Sequence, residues 1–149
     1  MEVTVSEVEP ERTYRLRQRV LRPHQGVDEV AMPGDRSAGA LHLAAVSGDE
    51  VVGVVSFWPE RPDWAGGGPA FRLRGMATAP EVRGTGVGAL LLRRVLHDVA
   101  ARGGGLLWCH ARLAASGFYA RHGFERRGDE WEEPHIGPHV VMFRRVDGA

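Results

Sequence analysis

Apolar residues alternate with polar ones, or form short uninterrupted runs, in seven stretches of the chain. Both patterns predict β-strands, the first half-buried and the second buried on both faces. Gly48-Asp49 separates the second and third stretches as a turn signal, so we expect these two to pair as an antiparallel hairpin. The predicted strands are 3–8, 40–48, 50–60, 70–78, 105–112, 124–133 and 137–146, the last two forming another hairpin.

Helical spacing of apolar residues occurs between these strands. It predicts helices over 11–22, 87–101 and 113–123, with one further helical turn inside 23–39. In the second helix the predicted buried face consists of Leu91, Leu92, Val95, Leu96 and Val99. The first helix is strongly basic, which we interpret as a solvated face; the alternative is that one or two of its arginines line a substrate mouth. These arginines are Arg12, Arg15, Arg17, Arg19 and Arg22.

Length and composition fit one domain, residues 1–149, in which helices cover a mixed sheet in an α/β sandwich. The formal net charge is zero, so the basic footprint of a nucleic-acid binder is missing. The chain has no lysine, which excludes both a Schiff-base lysine and a Walker-loop lysine. A single cysteine, the lack of a membrane-length apolar run and an N-terminus without a signal-peptide pattern predict a cytoplasmic protein with no membrane partner.

A glycine-rich loop between the strand at 70–78 and the helix at 87–101 carries the clearest chemistry. Gly84, Gly86 and Gly88 let a ligand approach the backbone, and the following helix offers unpaired N–H groups to an anion. We interpret the loop as a pyrophosphate site. A Walker loop is excluded because no G-K-[ST] follows. The dinucleotide motif G-x-G-x-x-A is matched, but it comes after three consecutive strands, which is the wrong topology. A plain structural turn remains the other alternative.

Two motifs in the second half of the chain resemble those of the GNAT superfamily of N-acetyltransferases. The string LRGMATAPEVRGTGVGALLLRRVL resembles its motif A, in which Q/R-x-x-G-x-G/A is matched by Arg83, Gly86 and Gly88. The segment 115–124, ASGFYARHGF, resembles the A-x-x-F-Y-x-x-x-G-F that follows in the family. The order of strands and helices is also similar from end to end. The pieces HLAAV, RGMAT, CHAR and IGPHVVM are most similar to small bacterial members, including the ElaA-like group.

The resemblance implies a fold and an activity. The fold would be α/β (α+β), with a mixed, largely antiparallel central sheet of six to seven strands flanked by about four helices. The activity would be direct transfer of acetyl from acetyl-CoA, as cosubstrate and without a metal, to a primary amine of a small molecule or peptide. The alternative is a non-catalytic acyl-CoA-binding sensor or structural module of the same fold. Dimers are common in the family, so a homodimer is one arrangement that the resemblance allows.

The resemblance also assigns residues to the donor. The pyrophosphate would lie on the loop and first-turn amides, and the pantetheine arm would run beside the strand at 70–78, splayed from the strand at 105–112. The N–H of Met76 would stabilise the oxyanion, and Tyr119 would be the general acid; the alternative for Tyr119 is an aromatic that packs on the core. The implied cofactor-binding residues are Met76, Ala77, Thr78, Arg83, Gly84, Thr85, Gly86, Val87, Gly88, Ala89 and Tyr119.

The acceptor side is less clearly marked. The strand before motif A lacks the glutamate of many relatives, so Glu60, His110, His42 or a water chain ending on one of them are the candidate bases. Arg74 and His42 are the candidate substrate contacts, and Arg74 would favour an anionic group, with an ion pair at the strand edge as the alternative. We expect the acceptor pocket to be built from the first helix, the 23–39 loop, residues 39–41 and the loop at 58–68.

Apolar neighbours predict that Cys109 is a buried, inert thiol instead of a nucleophile or metal ligand.

Overall fold

The computed structural model describes residues 2–149 and contains one seven-stranded sheet. The strands lie in the order β1-β2-β3-β4-β5-β7-β6, and every neighbouring pair is antiparallel except β4 with β5. The predicted mixed, largely antiparallel sheet is therefore confirmed. The strands are β1 (Thr4–Glu7), β2 (Leu41–Ser47), β3 (Glu50–Pro59), β4 (Ala70–Thr78), β5 (Gly105–Arg112), β6 (Glu125–Glu133) and β7 (Gly137–Val146).

Within residues 2–149, three longer helical regions accompany the sheet, close to the predicted number of about four helices, together with isolated 3-10 turns such as Pro80–Val82. The first begins as a 3-10 turn (Pro10–Thr13), continues as α1 (Tyr14–Leu16) and ends as a π-helical turn (Arg17–Leu21). The second is α2 (Val87–Ala101), whose bounds are those that the sequence predicts. The third is a 3-10 turn followed by α3 (Ser116–Arg121). Where one helical turn is predicted within 23–39 the structure has two, Val27–Glu29 and Pro33–Arg36.

Helix α2 lies against the sheet and forms the centre of the core. Leu91, Leu92, Val95 and Val99 are fully buried, as predicted, whereas Leu96 packs at the margin and is only partly buried. The helix approaches β3 closely at Gly53, where a Cβ atom would lie 2.8 Å from Val87 Cγ1. A glycine at this point is therefore what allows helix and strand to pack at this distance.

The prediction of a solvated arginine face on the first helix is wrong for Arg17. Its side chain is fully buried and donates hydrogen bonds of 2.7 and 2.8 Å to both carboxylate oxygens of Asp35. It also donates to Ser56 Oγ at 3.0 Å and to the carbonyl oxygen of Val30 at 3.3 Å. Burial of this cation is possible because the Pro33–Arg36 turn supplies a carboxylate in fork geometry.

Candidate active site

Strands β4 and β5 separate part of the way along the sheet. They pair in parallel only at Ala70↔Leu106, Phe71↔Leu107 and Arg72↔Trp108. Beyond these pairs, β4 stays bonded to β3 on its far side, and β5 stays bonded to β7 as far as Arg112. The edges that face each other across the opening therefore carry backbone groups available to a ligand. The splay predicted between these two strands is confirmed.

A β-bulge lies at the point where the strands part. Arg74 and Ala77 of β4 pair with Ser56 and Val54 of β3, so Gly75 and Met76 together face the single residue between. Gly75 has φ of 65°, the left-handed conformation that glycine adopts without strain in such bulges. The bulge bends β4 and leaves an unpaired residue beside the opening. A Cβ at Gly75 would lie 3.0 Å from Arg17 Nε, so the buried arginine supports the bulge from behind.

Two cavities occupy the opening and meet at its centre. The larger, of about 560 Å³, extends along the glycine loop and the start of α2. The smaller, of about 320 Å³, lies between β4, β5 and the β6–β7 hairpin. Met76 and Tyr119 line both cavities. The same two residues thus border both cavities.

Most of the residues predicted to bind the cofactor line the larger cavity. Gly84 and Gly86 have φ of 81° and 90°, and a Cβ on either would point into open space. Two predicted residues are not in the lining: Thr85, whose hydroxyl donates to the carbonyl of Val82, and Val87, which is buried in the core. The predicted residues in the lining are Met76, Ala77, Thr78, Arg83, Gly84, Gly86, Gly88, Ala89 and Tyr119.

Tyr119 is held by aromatic neighbours. Its ring lies 5.3 Å, between centroids, from both Phe118 and Phe124, and the residue is 5% exposed. Tyr119 belongs to the buried core and also lines both cavities, whereas its neighbour Phe118 is only half-buried. Desolvation raises the pKa of Tyr119 well above its ordinary value, and the neighbouring Cys109 acts in the same direction. The phenol therefore keeps its proton at neutral pH and is able to donate it.

Two of the predicted acceptor-side residues, Arg74 and His110, line the smaller cavity. Desolvation lowers the pKa of Arg74 to about 10, and Arg72 and Arg22 add repulsion. The ring of His110 lies 5.5 Å from that of Trp108, and part of the side chain reaches solvent. Desolvation lowers the pKa of His110 to about 4, with Arg72 and Arg74 acting in the same direction. The imidazole is therefore neutral at physiological pH.

The structure places Glu60 and His42 outside the lining of both cavities. Glu60 accepts hydrogen bonds from Trp58 Nε1 at 2.9 Å and from Arg72 Nη1 at 3.1 Å. His42 is 4% exposed, and its two ring nitrogens lie 2.6 Å from Ser56 Oγ and 2.8 Å from the carbonyl oxygen of Asp35. Both side chains are thus engaged in structural contacts, and the acceptor role predicted for His42 does not fit its position.

Sequence reasoning missed much of the smaller cavity. The loop at 58–68 does not line it; the β6–β7 hairpin does instead, because β7 is the neighbour of β5 in the sheet. Only the first helix and the 23–39 loop contribute as predicted. A cluster of tryptophan and histidine on the hairpin is the one signal in the sequence that pointed there. Arg22 lines the cavity as the alternative for the first helix predicted. The lining residues that were not predicted include Arg112, Trp131, Glu133 and His139.

Neither covalent nor metal chemistry finds support in the described residues. Cys109 is 2% exposed, and desolvation raises the pKa of its thiol to about 12, so the thiol stays protonated at neutral pH. Across residues 2–149 no three histidine, cysteine or acidic side chains come together as a metal site would require. Over the same residues, none of the helices has the length and apolar character needed to span a membrane.

Comparison with known proteins identifies the family. A family model described as an acetyltransferase (GNAT) domain matches residues 38–126. The protein called uncharacterized N-acetyltransferase YitI, from Bacillus subtilis (strain 168), is 34% identical over 142 residues, which is 95% of each chain.

Solved structures share the fold at lower identity. Escherichia coli ElaA superposes with a TM-score of 0.78 and 17% identity, covering 96% of this chain and 99% of that one. An aminoglycoside 6'-N-acetyltransferase complexed with coenzyme A superposes with a TM-score of 0.72 and 16% identity over 98% of both chains. These likenesses show the fold, and the family match and the Bacillus relative show the family. The chain belongs to the GNAT family and is an acetyl-CoA-dependent acetyltransferase.

Proposed function

We propose that this protein transfers the acetyl group of acetyl-CoA to a primary amine by direct attack, without an acetylated enzyme intermediate. The observation that carries the proposal is the meeting of two cavities at Met76 and Tyr119. One cavity suits the donor and the other the acceptor, so the reacting atoms would come together beside these two residues. The buried, protonated thiol of Cys109 argues against an acetyl-cysteine intermediate.

The donor is proposed to lie in the larger cavity. The similar aminoglycoside acetyltransferase was solved with coenzyme A, which supports carrying this ligand over to the shared fold. The pyrophosphate of acetyl-CoA would accept hydrogen bonds from the amides of residues 83–89. There the loop leads into α2, and the positive end of the helix dipole lies at the same place. Its pantetheine arm would then follow the open edge of β4 from Thr78 to Met76, in the gap left by β5.

The chemical step requires charge stabilisation on two atoms. As the amine attacks, the thioester carbonyl oxygen becomes negative, and the N–H of Met76 beside the bulge is proposed to donate to it, a contribution of about 3 kcal/mol for one such donor. When the C–S bond breaks, the thiolate would take the proton of the Tyr119 hydroxyl. The position of Tyr119 on both cavities supports this role; its raised pKa keeps the phenol protonated before the step and also makes it a weaker acid.

The attacking nitrogen must also give up a proton. Of the three candidate bases, only His110 lines the acceptor cavity, and its depressed pKa of about 4 leaves the imidazole neutral and able to accept. We propose that His110 passes the proton to solvent, directly or through a water. Because a group with a pKa of about 4 is a weak base at neutral pH, His110 would hold the proton only briefly before passing it to water.

An amine panel with detection of the free thiol of released CoA tests the proposal. We expect thiol release to depend on an amine, and Tyr119→Phe to lower kcat by about 10²–10⁴, the usual contribution of a general acid. Calorimetry on the same variant should show nearly unchanged affinity for acetyl-CoA. Unchanged turnover would remove Tyr119 from the mechanism, whereas acetyl-CoA binding with no amine acetylated would favour the non-catalytic acyl-CoA-binding module.

A further inference from the structure

The smaller cavity is unusually rich in positive charge for a site that must accept an amine. Four arginines line it, Arg22, Arg72, Arg74 and Arg112, against one carboxylate, Glu133. A protonated amine approaching such a cavity would be repelled. The charges of the lining therefore match some other part of the acceptor, given the acetyl transfer proposed above.

Two of the four arginines are already engaged within the protein. Arg72 bonds to Glu60 at 3.1 Å and stacks over the Trp108 ring at 5.0 Å from its centroid. Arg112 donates to the carbonyl oxygen of Leu21. Within the described residues Glu133 forms no ion pair with either of the remaining two; its carboxylate accepts from Trp131 Nε1 at 3.0 Å.

Arg22 and Arg74 are the two that remain. Within residues 2–149, neither guanidinium has an ion-pair or hydrogen-bond partner. Neither residue lines the larger cavity, so the phosphates of CoA do not account for them. Burial opposes the charge on Arg74, as its lowered pKa shows, and the neighbouring arginines add to the cost. A partly desolvated cation of this kind becomes favourable when an anion binds to it.

We propose that the smaller cavity binds an acceptor that carries an anionic group, a carboxylate or phosphate, a few bonds from its amine, with Arg74 and Arg22 as the anion-binding residues. Arg74 directly precedes the bulge formed by Gly75 and Met76 on β4, and both Arg74 and Met76 line the smaller cavity. An anion on Arg74 would therefore place a nearby amine toward the reacting carbonyl. The volume of about 320 Å³ suits a molecule of amino-acid size.

Matched acceptors test this inference separately from the transfer itself. The probes are amino acids paired with their amides, and 2-aminoethyl phosphate paired with ethanolamine, with rates expressed per unprotonated amine. We expect kcat/KM to be about tenfold to hundredfold higher for the anionic member of a pair, the range for a charge-assisted hydrogen bond. The better of the carboxylate and phosphate series identifies the anion.

Substitutions on two different elements connect the preference to the proposed residues. Arg74→Gln and Arg22→Gln should each lower the ratio of kcat/KM between the anionic and the neutral member of a pair, chiefly by raising KM for the anionic one. Arg93→Gln, at an exposed position of α2 outside both cavities, is the matched control and should retain the full preference. Equal use of both members of each pair, or an equal loss for both in Arg74→Gln, would overturn the inference while leaving acetyl transfer intact.

Binding to the CoA complex gives a readout without turnover. Calorimetry should show the anionic member of a pair binding at least about tenfold more tightly, and Arg74→Gln should abolish the difference. Absence of thiol release with every amine would contradict the proposed transfer, and the calorimetric difference would still decide the anion site. Equal affinities within every pair would overturn that site.

Discussion

Replacing Arg17 by methionine should destabilise the protein far more than replacing an exposed arginine on the same helical segment. Arg17 and Asp35 form an ion pair whose side chains are 0% and 3% exposed. Arg17→Met keeps an apolar stem but removes four hydrogen bonds, to Asp35, Ser56 and Val30. Asp35 would retain one hydrogen bond, from the N–H of Met32 at 2.9 Å.

The expected loss in the free energy of unfolding comes from leaving the Asp35 carboxylate buried without Arg17. Removing one partner of a buried pair costs about 3–5 kcal/mol, because the remaining charge is desolvated and uncompensated. The control is Arg19→Met, which breaks an ion pair with Glu81 whose side chains are 51% and 53% exposed. Such exposed pairs contribute about 0–1 kcal/mol. The two variants make the same chemical change two residues apart, so the difference isolates burial.

Urea unfolding followed by tryptophan fluorescence measures both free energies of unfolding. The double variant Arg17→Met/Asp35→Leu should recover much of the loss, because apolar residues of similar volume replace buried pairs well. If Arg17→Met loses no more stability than Arg19→Met, the pair is not desolvated and the reasoning is refuted. If the double variant is no more stable than Arg17→Met, the lost stability comes from packing and not from the buried charge.

The same pair sets a dependence of stability on pH. Burial alone raises the pKa of Asp35, but the hydrogen bonds from Arg17 and from the Met32 amide outweigh it and hold the pKa below the ordinary value of 3.8. A carboxyl with a depressed folded pKa contributes fully above its unfolded pKa and loses the contribution as pH falls through the folded value. The wild type should therefore keep this contribution down to about pH 4 and lose it below. In Arg17→Met the hydrogen bonds from Arg17 no longer offset burial, so the pKa of Asp35 should rise and acidification should relieve part of the loss of stability instead of adding to it.

Three further predictions concern glycines and the thiol. Gly86→Val should abolish acetyl-CoA binding by calorimetry, because a side chain at φ of 90° would be strained and would project into the larger cavity; retained binding contradicts the loop assignment. Gly53→Ala should destabilise the fold by about 1–3 kcal/mol in urea unfolding, since the new Cβ would overlap Val87 and separate α2 from β3. Gly66→Ala, where a Cβ would meet nothing within 4 Å, is its control, and equal effects would refute the packing argument. Cys109 should react with thiol reagents only after denaturation, and rapid labelling of the folded protein at pH 8 would contradict its burial.

Local patterns were sufficient for the regular elements, and the resemblance to the GNAT superfamily supplied the residues of the donor side. The bounds of α2 follow from helical apolar spacing between Gly86 and Gly103, and β5 follows from an apolar run that begins at Gly105. The β2–β3 hairpin follows from Gly48-Asp49, where Gly48 has φ of 62°. The glycine loop is one contiguous segment, so most of the cavity that it lines could be named in advance.

The acceptor side depends on contacts that are distant in sequence. Burial of Arg17 requires Asp35 from a separate turn, and no helical pattern contains that partner. His139 reaches the smaller cavity because its strand, β7, pairs with β5, and Trp131 lies opposite His139 on β6 with its ring 5.0 Å from that of His110. Both placements follow from strand order. The bulge at Gly75 is likewise a register shift between two strands. Such features arise from tertiary pairing and leave little trace in local periodicity.

The partial pairing of β4 with β5 has a consequence for the cooperativity of the molecule. The sheet consists of a four-stranded block, β1 to β4, and a three-stranded block, β5 to β7, joined by a short parallel ladder. A pantetheine arm lying between them would act as the missing length of ladder and tie the blocks together. We expect amide hydrogen exchange along both open edges to slow when the donor binds, and the free protein to exchange fastest at this junction. The cosubstrate would then be, in mechanical terms, an eighth strand that arrives and leaves with each turnover.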